Sequence, residues 1–207
     1  MILSRGKTVA ALVAMTLGLA GCVTLLPKVH PAQLYRFGRG EAEAPAAGPG
    51  RGVTLAGPTR FPMAVGGDRI LTTRGLSAAY LAGAHWVAPA SVLFDEAAVR
   101  AFAQAQPPAA PAPGLNLSLT VRSFEARYPG PGDVADGSPP TAMVVVEADL
   151  RRDGSEALVG SRVFESRRAA SANRVGPIVA AFDAATSDVL AQMEAWRPAE
   201  AVSPPPH

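Results

Sequence analysis

Cysteine is almost absent. Cys22 is the only one in 207 residues, so the chain can form no internal disulfide and no cysteine-rich metal set. Histidine is nearly as scarce. His30, His85 and His207 lie too far apart for two of them to share one helix face at metal-ligand spacing. Lysine occurs only at positions 7 and 28, and aromatic residues make up 6% of the chain. No basic stripe interleaved with aromatics can be drawn, which argues against nucleic acid as a partner. The apolar run at residues 8–19 has 12 residues, well short of the roughly 20 that a helix needs to cross a bilayer.

Catalytic motifs are missing as well. Ser91, His85 and Asp68 can be assembled into a triad on paper, but no G-x-S-x-G turn surrounds Ser91. Its place near an expected helix start makes it an ordinary capping residue. Asp133, Asp136 and Gly137 resemble part of a calcium loop, without the later bidentate glutamate in a D-x-D-x-D-G frame. The glycines at 38, 40, 48, 50 and 52 precede an expected strand rather than a helix, so they cradle no phosphate. No metal or cofactor is expected, and the sequence argues against an enzyme.

What is present begins with the N-terminus. Arg5 and Lys7 flank the apolar residues 8–19, which end in Ala20-Gly21-Cys22. A basic flank, a short apolar core and small residues before a cleavage point make a secretory signal. An ordinary signal needs no cysteine. Leu19-Ala20-Gly21-Cys22 resembles the bacterial lipobox, whose cysteine thiol takes a diacylglycerol before cleavage, and this implies that Cys22 becomes the lipidated first residue. Two or three acyl chains, at about 0.8 kcal/mol per buried methylene, hold a protein on a membrane durably. Val23, rather than an aspartate, follows the cysteine. By resemblance to Gram-negative sorting rules, this implies the periplasmic face of the outer membrane. Removing residues 1–21 takes away two bases and no acid, leaving 17 basic against 17 acidic residues. The mature chain is therefore neutral.

The expected organisation is a signal peptide at 1–21, a lipidated tether at 22–32, one domain at 33–197 and a disordered tail at 198–207. Residues 38–52 and 106–113, rich in glycine, proline and alanine, should not be packed. Strands are expected at 33–37 and 51–61, and at 68–74 and 79–86 joined across Gly75-Leu76-Ser77. Pro89 opens a helix with Phe94, Ala98, Ala101 and Phe102 on its apolar stripe. From Leu115 to Val121 apolar residues alternate with polar ones, and then Phe124, Ala126 and Tyr128 take over the apolar role. A period-2 pattern cannot change parity without an extra residue, so a bulge is expected near Arg122-Ser123. Residues 141–152 and 158–168 read as a hairpin about Asp153-Gly154. Pro177 starts the longest helix, with Ile178, Phe182, Ala185, Val189, Met193 and Trp196 along one face. The fold class expected is α+β, a largely antiparallel sheet with two main helices packed on one face.

Residues 68–102 carry Arg69-Ile70, Arg74, Tyr80, Gly83-Ala84-His85-Trp86 and Pro89 in series. This series resembles the central signature of the ABC-type transport auxiliary lipoproteins (PqiC-like and MCE-associated). Softer matches run through a strand ending in Phe124 to Phe182-Asp183-x-Ala185, so the resemblance covers about 33–197 together with the lipobox. Two departures stand out. Gln106 to Pro113 is proline-rich where the family usually has a further strand, and Leu81 follows Tyr80 where a second aromatic is common. The resemblance implies an outer-membrane-anchored auxiliary lipoprotein that docks a periplasmic MCE-domain protein and, through it, an ABC permease and ATPase. Its work would be lipid transport between the two membranes. A homo-oligomer is compatible with that reading. Arg69, Tyr80 and Trp86 are the candidate partner interface, set against the plainer expectation that they are core and strand-edge residues.

A second function of a different class is a lipid-anchored envelope enzyme such as an esterase. Adjacent MCE, permease and ATPase genes would favour the transport role.

Overall fold

The computed structural model of the chain describes residues 31–38, 53–104, 114–130, 137–154 and 157–196. The chain divides into two compact units, Met1–Pro31 and Ala32–His207, and every described helix and strand belongs to the second. Cys22, His30, Asp133, Asp136, the tail and most of the two low-complexity stretches lie outside the described residues.

The described elements are strands β1 (Gln33–Tyr35) and β2 (Val53–Leu55), a one-turn helix α1 (Met63–Gly66), and strands β3 (Arg69–Arg74) and β4 (Ser77–Trp86). Helix α2 (Ala90–Gln104) follows, then strands β5 (Leu115–Arg127), β6 (Thr141–Arg152) and β7 (Leu158–Ala169), and helix α3 (Val175–Ala195). The fold is α+β, with seven strands in one mixed sheet of order β1-β4-β3-β5-β6-β7, and β2 also paired to β5. The long pairings, β5 with β6 and β6 with β7, are antiparallel, as is β3 with β4. The short ones, β1 with β4, β2 with β5 and β3 with β5, are parallel. A largely antiparallel reading from hairpin signals misses these three. The connection from β4 through α2 returns the chain to the sheet, so β5 runs parallel to β3 instead of continuing a meander. β5 is long enough to hold both short strands along one edge. β2 covers Leu115–Leu117, β3 covers Ala126 and Arg127, and a bridge from Arg60 to Thr120 lies between.

The bulge expected from the parity change is present. Val121 pairs with Val146 and Ser123 with Val145, so Arg122 is the extra residue. Leu117, Leu119 and Val121 are buried before it, and Phe124 and Ala126 after it. Arg122 turns outward, and its Nε and Nη2 donate to Glu147 Oε2 at 3.0 and 2.6 Å. A second bulge, with Val159 unpaired between Leu158 and Gly160, has no such signature in the sequence. Gly75, at φ +55, makes the tight turn from Arg74 to Ser77, so β4 begins two residues earlier than expected.

Helix α2 buries Ala90, Leu93, Phe94, Ala97 and Ala98; of the expected stripe Phe94 and Ala98 are buried, and Ala101 and Phe102 are half-buried. Helix α3 starts at Val175, with Pro177 still in the first turn where its missing N–H costs nothing. Its buried face is wider than the predicted stripe and adds Val179, Ala181, Thr186 and Leu190. At the centre stand four aromatic rings. Trp86 meets Phe37 edge-on at 4.9 Å and Phe182 at 5.5 Å, and Phe124 lies 4.8 Å from Phe182 and 5.0 Å from Phe37. Such pairs add about 0.5–1.5 kcal/mol each beyond burial. They tie the segment just after β1 to β4, β5 and α3.

Candidate functional site at the β3–β4 pair

The stretch that carries the resemblance folds as β3, β4 and the start of α2. Its pairing is irregular. Leu71 faces Tyr80, but two residues back Arg69 faces His85, so β4 contains three more residues than β3 over this interval. Gly83, at φ +66, sits in the surplus. A side chain added there would meet nothing within 4 Å. The left-handed backbone, and not a close approach by another chain, is therefore what calls for glycine.

The wide bulge decides what each candidate residue does. Arg69 lies diagonal to Tyr80 across the pair, and its guanidinium carbon stands 3.7 Å from the Tyr80 ring centroid. The Tyr80 hydroxyl donates to the Ala64 carbonyl at 3.1 Å, which ties β4 to α1. Beside them Asp68 Oδ2 pairs with His85 Nδ1 at 3.2 Å, with both side chains partly exposed. Leu34, His85 and Arg69 form one row across β1, β4 and β3.

Trp86 takes the other face. It is 2% exposed and fully enclosed by the aromatic centre. A side chain so placed has no surface to offer, so the interface expectation is corrected for Trp86 to a core role. Arg69 and Tyr80 alone of the three remain accessible. The sequence series could not separate them, because the parity between Tyr80 and Trp86 passes through the bulge.

β1 pairs only with Ala84–Trp86 of β4. Residues 77–83 therefore have no strand on their outer edge among the described residues, and that edge is made of Ser77, Ala78, Ala79, Tyr80, Leu81, Ala82 and Gly83. Charged side chains and proline, the usual guards of an open edge, are absent from it.

Of the paper triad, Asp68 and His85 do meet, while the Ser91 hydroxyl donates to the Gly66 carbonyl at 3.2 Å. Among the described residues no three of His, Cys, Asp and Glu gather as metal ligands. No described helix is long and apolar enough to cross a membrane.

Arg127 on β5, Tyr128 just beyond it and Arg167 on β7, with β6 between the two strands, were not singled out as site residues by their sequence. They line one hollow. Burial pushes the Tyr128 phenol above its ordinary pKa, partly offset by the nearby Arg74 charge, and its hydroxyl donates to Asn173 Oδ1 at 2.9 Å.

The architecture defines the class: an α+β protein with a mixed sheet. The fold is that of protein XCC0632 from Xanthomonas campestris, of the family DUF330, at a TM-score of 0.61 and 24% identity over 81% of this chain and 92% of that one. An uncharacterized protein shares it at a TM-score of 0.56 and 14% identity, over 80% of this chain and 98% of that one. A candidate lipoprotein from Caulobacter crescentus CB15 overlaps too little to bear on the fold, with a TM-score of 0.31 and 18% identity over 51% of this chain and 77% of that one. No family model matches the chain, and no curated protein matches it.

Proposed function

We propose that this chain is an outer-membrane-anchored auxiliary lipoprotein that docks the periplasmic MCE component of an ABC-type lipid transport system. Cys22 holds it on the periplasmic face of the outer membrane by its acyl chains, and α2 and α3 both lie on one face of the sheet. The observation that carries the docking role is the stack of exposed Arg69 on half-buried Tyr80 beside the open edge of β4. Tyrosine and arginine are over-represented among residues that dominate interface energies. An uncharged edge of mostly small residues accepts an extended partner segment by backbone hydrogen bonds, with alternate side chains providing specificity. Both features fall in the segment whose sequence resembles the transport auxiliary lipoproteins.

The test is a pull-down of the tagged, full-length lipoprotein from detergent-solubilised membranes. MCE protein, permease and ATPase should be recovered with the wild type and lost with Tyr80→Ala, whose melting temperature should stay close to wild type. Recovery of none of the three, or full recovery with Tyr80→Ala, overturns the reading.

A further inference from the structure

Arg69 differs from the strand arginines that carry a carboxylate. Arg127 pairs with Glu125 and Arg167 with Glu165, each two residues back on its own strand. Arg122 pairs with Glu147 on the neighbouring strand, and Arg168 with Asp188 of α3. On β3 the same-side neighbour of Arg69 is Leu71, the residue opposite is His85, and the diagonal one is Tyr80. None of these supplies a carboxylate. The adjacent Asp68 is engaged by His85 Nδ1 at 3.2 Å. Among the described residues the Arg69 side chain makes no hydrogen bond and no ion pair, and its contact is the Tyr80 ring at 3.7 Å. Arg74 and Arg162 also lie over rings, but at 5.3 and 5.2 Å.

The ring contact leaves the hydrogen-bonding capacity of Arg69 unused. A guanidinium has five N–H donors in a planar fork, and stacking on a ring engages none of them as a hydrogen bond. The fork matches a carboxylate with two parallel hydrogen bonds. Because the ring already holds the group in place, less side-chain freedom is lost when an anion arrives. The Arg69 side chain is exposed, so an anion from outside reaches it.

An open edge lies beside it. Residues 77–83 of β4, Tyr80 among them, have no strand on their outer side among the described residues and carry no charge. Unpaired backbone donors and acceptors along a strand accept a peptide chain. A phosphate would use the guanidinium and leave the edge unpaired. A neutral peptide would use the edge and leave the guanidinium unmatched. A peptide with an acidic side chain uses both.

We propose that the partner segment taken by this edge is acidic: an extended peptide whose backbone pairs with residues 77–83 and whose aspartate or glutamate takes the Arg69 guanidinium. This rests on the docking role proposed above and names the chemistry that the docking surface recognises.

The scarcity of lysine gives a direct test. Beyond residue 21, Lys28 is the only lysine in the sequence. The exported lipoprotein carrying Lys28→Arg and Arg69→Lys therefore presents a single lysine amine, at position 69. Detergent-solubilised membranes holding this variant are treated with a water-soluble carbodiimide, which joins an amine to a carboxylate in contact with it as an amide. Peptide mass spectrometry should map the product to position 69 and an aspartate or glutamate of the recovered MCE protein. In the pull-down, Arg69→Lys should keep recovery near wild type. Arg69→Glu should lower it at least about tenfold at an unchanged melting temperature. Arg162→Gln, which removes one positive charge from β7, should leave recovery as it was.

A recovered complex with no cross-link overturns the proposal, as does a cross-link only to carboxylates of this chain, within one copy or between two. Undiminished recovery with Arg69→Glu overturns it too, and so does a loss with Arg69→Lys or Arg162→Gln as large as that with Arg69→Glu. In each of these cases wild-type recovery of the MCE protein leaves the docking role standing. If the wild type recovers none, both readings fall.

Discussion

The Arg69 guanidinium lies over the Tyr80 ring at 3.7 Å, a diagonal contact across two strands whose register is interrupted immediately beyond it. The stack holds a charged group and an aromatic ring together at the surface. Cation–π contacts at such positions contribute about 0.5–1 kcal/mol. Arg69→Ala should therefore lower the melting temperature by only a few degrees. Measured by chemical denaturation, the coupling energy of Arg69→Ala with Tyr80→Phe should be smaller than that of Arg69→Ala with Tyr80→Ala, because phenylalanine keeps the ring. Equal coupling in the two cycles would show that the ring face is not what holds Arg69.

Trp86 belongs to the opposite case. Its ring closes the contacts among Phe37, Phe124 and Phe182, so Trp86→Ala should cost about 3–5 kcal/mol. In a melting experiment that is a fall of roughly 10 °C or more for a domain of this size. Partner recovery should then follow the folded fraction. A variant that melts as the wild type does would return Trp86 to the surface.

The link between β7 and α3 should depend on pH. The Arg168 hydrogen bond, aided by the Ser166 hydroxyl at 2.8 Å and opposed by burial, holds the Asp188 carboxyl below its ordinary range. A carboxylate whose pKa is depressed by folding contributes stability above the unfolded value, about 3.9, and loses it as pH falls through the folded one. Asp188→Asn should melt a few degrees lower than wild type at pH 7, with the two curves converging below about pH 4. Glu194 has the opposite sign, since burial raises its pKa. Its charged form is the one that folding disfavours, so Glu194→Gln should melt higher at pH 7 and lose that advantage in acid. Melting temperatures across a pH series check both.

Lipidation should be visible in the mass of the mature protein. The expected N-terminal residue is Cys22 carrying acyl groups, and Cys22→Ser should appear in the soluble periplasmic fraction. An unmodified mature terminus at another residue would end the lipobox reading.

Hydrolysis is expected to stay at background on ester and phospholipid substrates, and Ser91→Ala should change nothing. The Ser91 hydroxyl proton is engaged by the Gly66 carbonyl, while His85 Nδ1 faces Asp68. Turnover abolished by Ser91→Ala would instead establish the envelope-enzyme reading.

Local signals in the sequence determined a good part of this architecture. The parity change placed a bulge near Arg122-Ser123, where Arg122 is the extra residue, because a strand whose one face is buried cannot shift phase silently. The spacing from Ile178 to Met193 described a helix with one buried face, and the Asp-Gly at 153–154 described the β6–β7 turn, where Gly154 has φ +67. Each of these is written within a few residues of where it acts. What only the tertiary structure decided depends on which strands became neighbours. Short strands of three to six residues carry too little pattern to choose a partner, and their parallel pairings to β4 and β5 are set by the path of the chain between the paired strands. The three surplus residues about Gly83 set the phase from Tyr80 to Trp86, sending the tryptophan inward and leaving the tyrosine under Arg69. The hollow between Arg127 and Arg167 exists because β6 stands between their strands in one register. Forty residues of sequence separate those two arginines, and no local pattern could have brought them to the same face.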